Sequence, residues 1–214
     1  MVKVSGCFAM NDNPLLLLFT AAVGLYMAWL WWDDFRAARA GRPRPHALPG
    51  AVPAPVSACL VAAAGGLVIT LAETWGENRL GLSAQQSKMT VLFGLYTLLA
   101  AFVEELVFRG FVVIGGRGAA VRWAGVVAAS VLFAALHPFL WEWNHDGPFH
   151  FTFTAKGWFS TGAVLVSSLW FYAMRFAARL NPRESLLPCV AAHGTKNLAV
   201  FAIKAAQGFV SGWW

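Results

Sequence analysis

The stretch MTVLFGLYTLLAAFVEELVFRGFVVI, residues 89–114, decides the fold. Its length suits a bilayer crossing, which takes roughly 20 apolar residues, yet its second half carries Glu104, Glu105 and Arg109. Ionisable side chains at that depth cost several kcal/mol unless they are paired or serve a purpose. On a helix, Glu105 and Arg109 stand four apart and share a face, and mutual neutralisation makes the segment insertable. Glu104 is rotated by about 100° from Glu105 and has no partner of opposite sign on its own helix. An unpaired carboxyl in a low dielectric holds its proton more tightly, and a base poised nearer neutrality is what water activation requires. The register therefore assigns the chemistry to Glu104 and the support to Glu105 with Arg109. A salt bridge that only locks packing accounts for the pair but leaves the second carboxylate superfluous.

Working outward, the rest of the chain has the same character. Of 214 residues, 58% are hydrophobic and 12% charged, against about 25% charged in soluble domains. Six apolar stretches of spanning length can be drawn, at about residues 14–32, 53–72, 89–114, 121–143, 157–176 and 186–205. Little chain is left for a separate soluble unit. The expectation is all-α: one polytopic membrane helix bundle of about six transmembrane helices, forming a single domain over residues 1–214.

A net charge of +6 raises the question of nucleic acid, but the basic residues form no single stripe. They fall in alternate connections, as the positive-inside rule describes. Arg36, Arg39, Arg42 and Arg44 follow the first stretch, Arg117 and Arg122 the third, and Arg175, Arg179 and Arg183 the fifth. The other connections are nearly balanced, with Glu73, Glu77, Arg79 and Lys88 in one and Glu142, Asp146 and Lys156 in the next. This pattern predicts both termini on the non-cytoplasmic side. Trp29, Trp31, Trp32, Trp75, Trp123, Trp141, Trp143 and Trp158 lie near predicted span ends, as an aromatic belt would. The partner implied is the lipid bilayer, with no nucleic acid.

Other features read blandly. Val4-Ser5-Gly6-Cys7 matches a lipoprotein cleavage box by chance, because almost no hydrophobic region precedes it. Cys7, Cys59 and Cys189 lack metal-ligand or CxxC spacing and read as small residues at helix surfaces. Five prolines between residues 42 and 55 predict an extended connection. Residues 73–87 are polar enough for a short interfacial helix, and residues 144–150 read as an outer loop. Gly115-Gly116-Arg117-Gly118 is a turn between antiparallel helices, not a phosphate cradle, since no strand precedes it.

Two later stretches carry paired polar positions. His137 lies four residues after Phe133 and just before Pro138, which can bend or end the helix; Phe133 on the same face would fix the imidazole. A lone histidine there is more often a hydrogen-bonded core residue than a catalyst. His193 and Asn197 are again four apart and project from one face. Packing calls for neither in hydrocarbon, whereas donors aimed at one point suit an oxyanion. The alternative is interhelical hydrogen bonding, worth about 0.6–2 kcal/mol each in membranes. Lys196 faces elsewhere, to snorkel or to meet a substrate carboxylate.

In order and register, these residues resemble the CPBP family of glutamic intramembrane proteases, which includes the CAAX-processing endopeptidases. That family carries EExxxR, then FxxxH, then HxxxN or HxxxD on successive helices. Here those positions are Glu104, Glu105 and Arg109, then Phe133 and His137, then His193 and Asn197, and the likeness covers about residues 89–205. The resemblance implies peptide-bond hydrolysis without a metal: Glu104 with His137 would activate a water, while His193 and Asn197 would stabilise the oxyanion. Larger members have eight spans, so this chain resembles a minimal member. The implied substrate is a membrane-anchored peptide or protein cut near its C-terminus, as in sorting-signal or bacteriocin processing at a prokaryotic plasma membrane. Two alternatives stand beside it: a non-catalytic immunity or interaction protein of the same fold, and a small transporter whose carboxylates relay protons.

A metal deserves weighing too. One Glu and two His can ligate Zn²⁺, but the chain has no HExxH, and an Asn serves an oxyanion better than zinc. No cofactor is expected. Glu142, His145 and His150 form a second conceivable ligand set, for which a solvated loop is the better account.

Overall fold

The computed structural model of the protein describes residues 13–142 and 149–213. Cys7 with its cleavage-box context, Trp143, His145, Asp146 and most of the outer loop at 144–150 lie outside the described residues. Six long helices make up the rest: α1 Pro14–Arg39, α2 Val56–Arg79, α3 Val91–Glu105, α4 Ala119–Leu136, α5 Ala155–Arg175 and α6 Leu187–Ala206. Each coincides with one of the six apolar stretches. Two-residue strands β1 Trp141–Glu142 and β2 His150–Phe151 pair antiparallel, so the all-α expectation holds.

Local chemistry sets the helix starts. Asn13 accepts the Leu16 amide at 3.0 Å, with Pro14 in the first turn of α1, where a missing N–H costs nothing. Thr90 and Thr154 accept the amides of Phe93 and Gly157 at the starts of α3 and α5. The proline-rich connection is docked on α1: Asp34 accepts the Leu48 amide at 2.8 Å and Arg44 at 3.1 Å, and the Trp31 indole donates to the Pro49 carbonyl.

Two boundaries differ from the sequence reading. α4 stops at Leu136, and His137 turns to extended backbone with ψ 129°, because the residue before a proline is driven out of the helical region. The fourth stretch therefore ends well short of residue 143. α2 instead runs on to Arg79, so residues 73–79 belong to the bundle, and only the 3₁₀ turn Ser83–Gln85 remains of the expected interfacial helix. Glu73 and Glu77 are polar, but they point inward to ammonium partners, which keeps that extension helical.

α6 occupies the middle, packed on α2, α3 and α5. Glycines permit the close approach: a Cβ on Gly66 of α2 would stand 2.5 Å from the Ala192 carbonyl oxygen, and one on Gly94 of α3 would stand 2.3 Å from the Phe201 ring. α1 to α4, the third taken through Phe111, are long and apolar enough to cross a membrane. α5 and α6 are less apolar because they carry the buried polar residues Ser160, Ser167 and Ser168, and His193, Lys196 and Lys204.

Beyond α6 the chain doubles back along the start of α3. The Met89, Val91 and Leu92 amides donate to the carbonyls of Phe209, Gly212 and Trp213, and the Ser211 amide donates to Met89. The tail thus supplies acceptors that the first turn of a helix otherwise lacks.

Candidate active site

α3 does not end at Glu105 but continues as a π-helical segment, Leu106–Phe111. Wider coiling of this kind is rare and frequent at functional sites. Two α5 side chains bond its carbonyls. The Tyr172 hydroxyl lies 2.6 Å from the Phe108 oxygen and 3.2 Å from that of Val112, and the Arg175 Nε donates to the Arg109 oxygen at 3.0 Å.

Arg109 is fully buried. Its Nη1 donates to Glu105 Oε1 at 3.1 Å and its Nη2 to the Ser168 hydroxyl at 2.5 Å, which donates onward to Ser130 at 3.0 Å. The guanidinium carbon lies 4.5 Å from the Phe133 ring centre and 4.8 Å from that of Tyr172, within cation–π range. The expected pair of Glu105 and Arg109 is therefore present, anchored on α4 and α5.

Glu105 Oε1 also receives His193 Nδ1 at 2.7 Å. A carboxylate only accepts, so Nδ1 carries the hydrogen and Nε2 is turned outward. The imidazole is stacked on Phe171, 4.8 Å between centroids. Its Nε2 stands 3.8 Å from Glu104 Oε2, so Glu104, without a partner on α3, meets one on α6. The two adjacent carboxylates differ sharply: the Glu105 side chain is 0% exposed and that of Glu104 36%. Glu104 closes one end of an apolar cleft of about 300 Å³ between α1 and α3, walled by Thr20, Gly24, Tyr96 and Leu99.

Phe133 ties in the third helix. Its ring lies 4.8 Å from the His137 ring and 6.2 Å from that of His193. His137 Nδ1 is 2.8 Å from the Phe133 carbonyl; a carbonyl accepts, so Nδ1 donates and Nε2 remains as acceptor. Asn197, one turn from His193, donates its amide to the Thr97 carbonyl at 2.9 Å. One of its two N–H groups is thus spent on holding α6 to α3. Lys196 points away and pairs with Glu73 of α2 at 2.5 Å.

Glu104, Glu105, Arg109, Phe133, His137 and His193 thus form one connected cluster, with Asn197 at its edge. Sequence reasoning missed Ser130, Ser168, Phe171, Tyr172 and Arg175. The adjacent serines 167 and 168 in an apolar helix were a signal, since hydroxyls in such helices hydrogen-bond across to neighbours. Of the second conceivable ligand set, Glu142 Oε2 and His150 Nε2 stand 3.5 Å apart, and His145 lies outside the described residues. Among the described residues no three His, Cys, Asp or Glu side chains are grouped to hold a metal.

A family model described as type II CAAX prenyl endopeptidase Rce1-like matches residues 86–199, a span that holds every member of this cluster. No curated protein and no solved structure matches the chain.

Proposed function

Since the chain belongs to the type II CAAX prenyl endopeptidase Rce1-like family of membrane proteases, we propose that it hydrolyses a peptide bond near the C-terminus of a membrane-associated peptide or protein, with Glu104 as general base. The observation that carries this is the contrast between neighbours: Glu105 is sealed in an ion-pair network, while Glu104 is 36% exposed, 3.8 Å from an imidazole.

In this scheme Glu104 takes a proton from a water whose oxygen bonds to the carbonyl carbon. His137, held from Nδ1 by the Phe133 carbonyl, accepts from the same water at Nε2. The carbonyl oxygen becomes an oxyanion. His193, steadied at Nδ1 by Glu105, donates to it from Nε2, and the second N–H of Asn197 is the other donor. Preorganised donors of this kind are worth about 10²–10³ in rate each. Collapse breaks the C–N bond, the proton held by Glu104 passes to the leaving amine, and the new acid ionises. Sorting-signal or bacteriocin processing at a prokaryotic plasma membrane is the setting this activity suits, with both termini non-cytoplasmic.

Glu104→Gln keeps size and hydrogen bonding and removes the base. Peptide cleavage in reconstituted vesicles should fall by about 10²-fold or more, with unaltered circular dichroism and melting temperature. A folded Glu104→Gln protein that still cleaves at the normal rate would falsify the assignment.

A further inference from the structure

Along α6 from the catalytic candidates lies a second chamber, of about 520 Å³, with charged side chains in its walls. Val200, Ile203 and Lys204 form one wall, Glu73 and Glu77 of α2 another, and Phe139 a third. The Phe139 ring is stacked on that of His137, 5.9 Å between centroids, so the chamber adjoins the site described above.

Its charges do not balance pairwise. Glu73 is paired with Lys196 at 2.5 Å, and Glu77 with Lys156, with Gln86 donating to it as well. Glu142, also on the wall, is exposed and stands beside His150. Lys204 is left over. It is 8% exposed and donates to the Ser87 carbonyl at 2.7 Å and the Ser87 hydroxyl at 3.1 Å. Among the described residues no carboxylate reaches it within ion-pair distance. Glu77 and Glu73 act on it only from beyond ion-pair reach; a buried ammonium with no counter-charge in contact is costly, and it has three hydrogens to give, of which two are used.

We infer that Lys204 receives the C-terminal α-carboxylate of a peptide bound in this chamber. The distance along the helix fits that occupant. Lys204 follows Asn197 by seven residues and His193 by eleven, or about 10–16 Å at 1.5 Å per residue. An extended peptide covers at most about 3.3–3.6 Å per residue, so about three to five residues link the two levels. The span rests on the endopeptidase reading, which puts the scissile bond at Glu104; the carboxylate contact rests on the chamber alone.

The test uses the full chain in detergent micelles, carrying Glu104→Gln so that no probe is consumed. Two N-terminally fluorescein-labelled apolar tetrapeptides are compared by fluorescence anisotropy, one with a free C-terminal carboxylate and the other amidated. The acid is expected to bind about tenfold more tightly or better. Adding Lys204→Met should bring the acid down to the affinity of the amide, while Lys204→Arg should preserve the preference. Equal binding of acid and amide overturns the inference without recourse to any Lys204 variant, and so does a preference that survives Lys204→Met. Acid-selective binding by a chain whose Glu104 form cuts no peptide upholds the carboxylate site and sinks only the endopeptidase reading.

Discussion

Replacing Arg109 by methionine isolates what the ion pair contributes. The guanidinium and the Glu105 carboxylate are both 0% exposed and 3.1 Å apart. Methionine fills much of the arginine volume but leaves Glu105 with His193 Nδ1 as its remaining donor and Oε2 without any. Breaking a buried pair from one side typically costs about 3–5 kcal/mol, because the surviving charge is stranded. The lost Ser168 bond falls within that figure, since interhelical hydrogen bonds in membranes average about 0.6 kcal/mol. Arg109→Met with Glu105→Gln removes both charges while a glutamine oxygen can still accept from His193, so the double variant should lose only about 1–2 kcal/mol. Glu105→Gln alone, which strands the guanidinium instead, should cost about 3–5 kcal/mol as well, so the double variant falls far below the sum of the two singles. Equilibrium unfolding in mixed micelles, titrated with SDS and followed by circular dichroism, measures all three variants. A single variant within about 1 kcal/mol of wild type, or a double variant as unstable as the two singles summed, would refute the stranded-charge account.

Two further outcomes follow from the packing. Tyr172→Phe removes the hydroxyl that lies against the Phe108 and Val112 carbonyls; it should cost about 1–3 kcal/mol and raise hydrogen exchange at residues 106–112, and unchanged exchange there would show that the π segment holds itself. Gly66→Ala puts a carbon 2.5 Å from the Ala192 carbonyl oxygen, so α2 and α6 must part, at about 1–3 kcal/mol for overpacking; thermal unfolding checks this, and a variant as stable as wild type shows the helices have room.

What could be read in advance divides by range. Helix number and placement follow from apolar length, a property each segment carries alone. The pairing of Glu105 with Arg109 follows from four-residue spacing within one helix. Legibility stops where partners are distant in sequence. Ser168 meets Arg109 across 59 positions; a serine in an apolar helix announces a cross-helix bond but does not name its partner. The end of α2 was misjudged for the same reason: Glu73 and Glu77 look like loop residues until Lys196 and Lys156, contributed by α6 and α5, neutralise them. The early end of α4 was legible in Pro138, which outweighed the hydropathy of the residues beyond it.

The strand-like return after α6 has a mechanical meaning. It ties the far end of the helix bearing the imidazole to the near end of the helix bearing both acids, through four main-chain bonds. Sliding one helix past the other by a turn, about 5.4 Å, would break all four. Glu104 and His193 therefore stay level by a clasp made of peptide groups, one that a scan of side-chain substitutions would pass over in silence and that deleting residues 208–213 would undo.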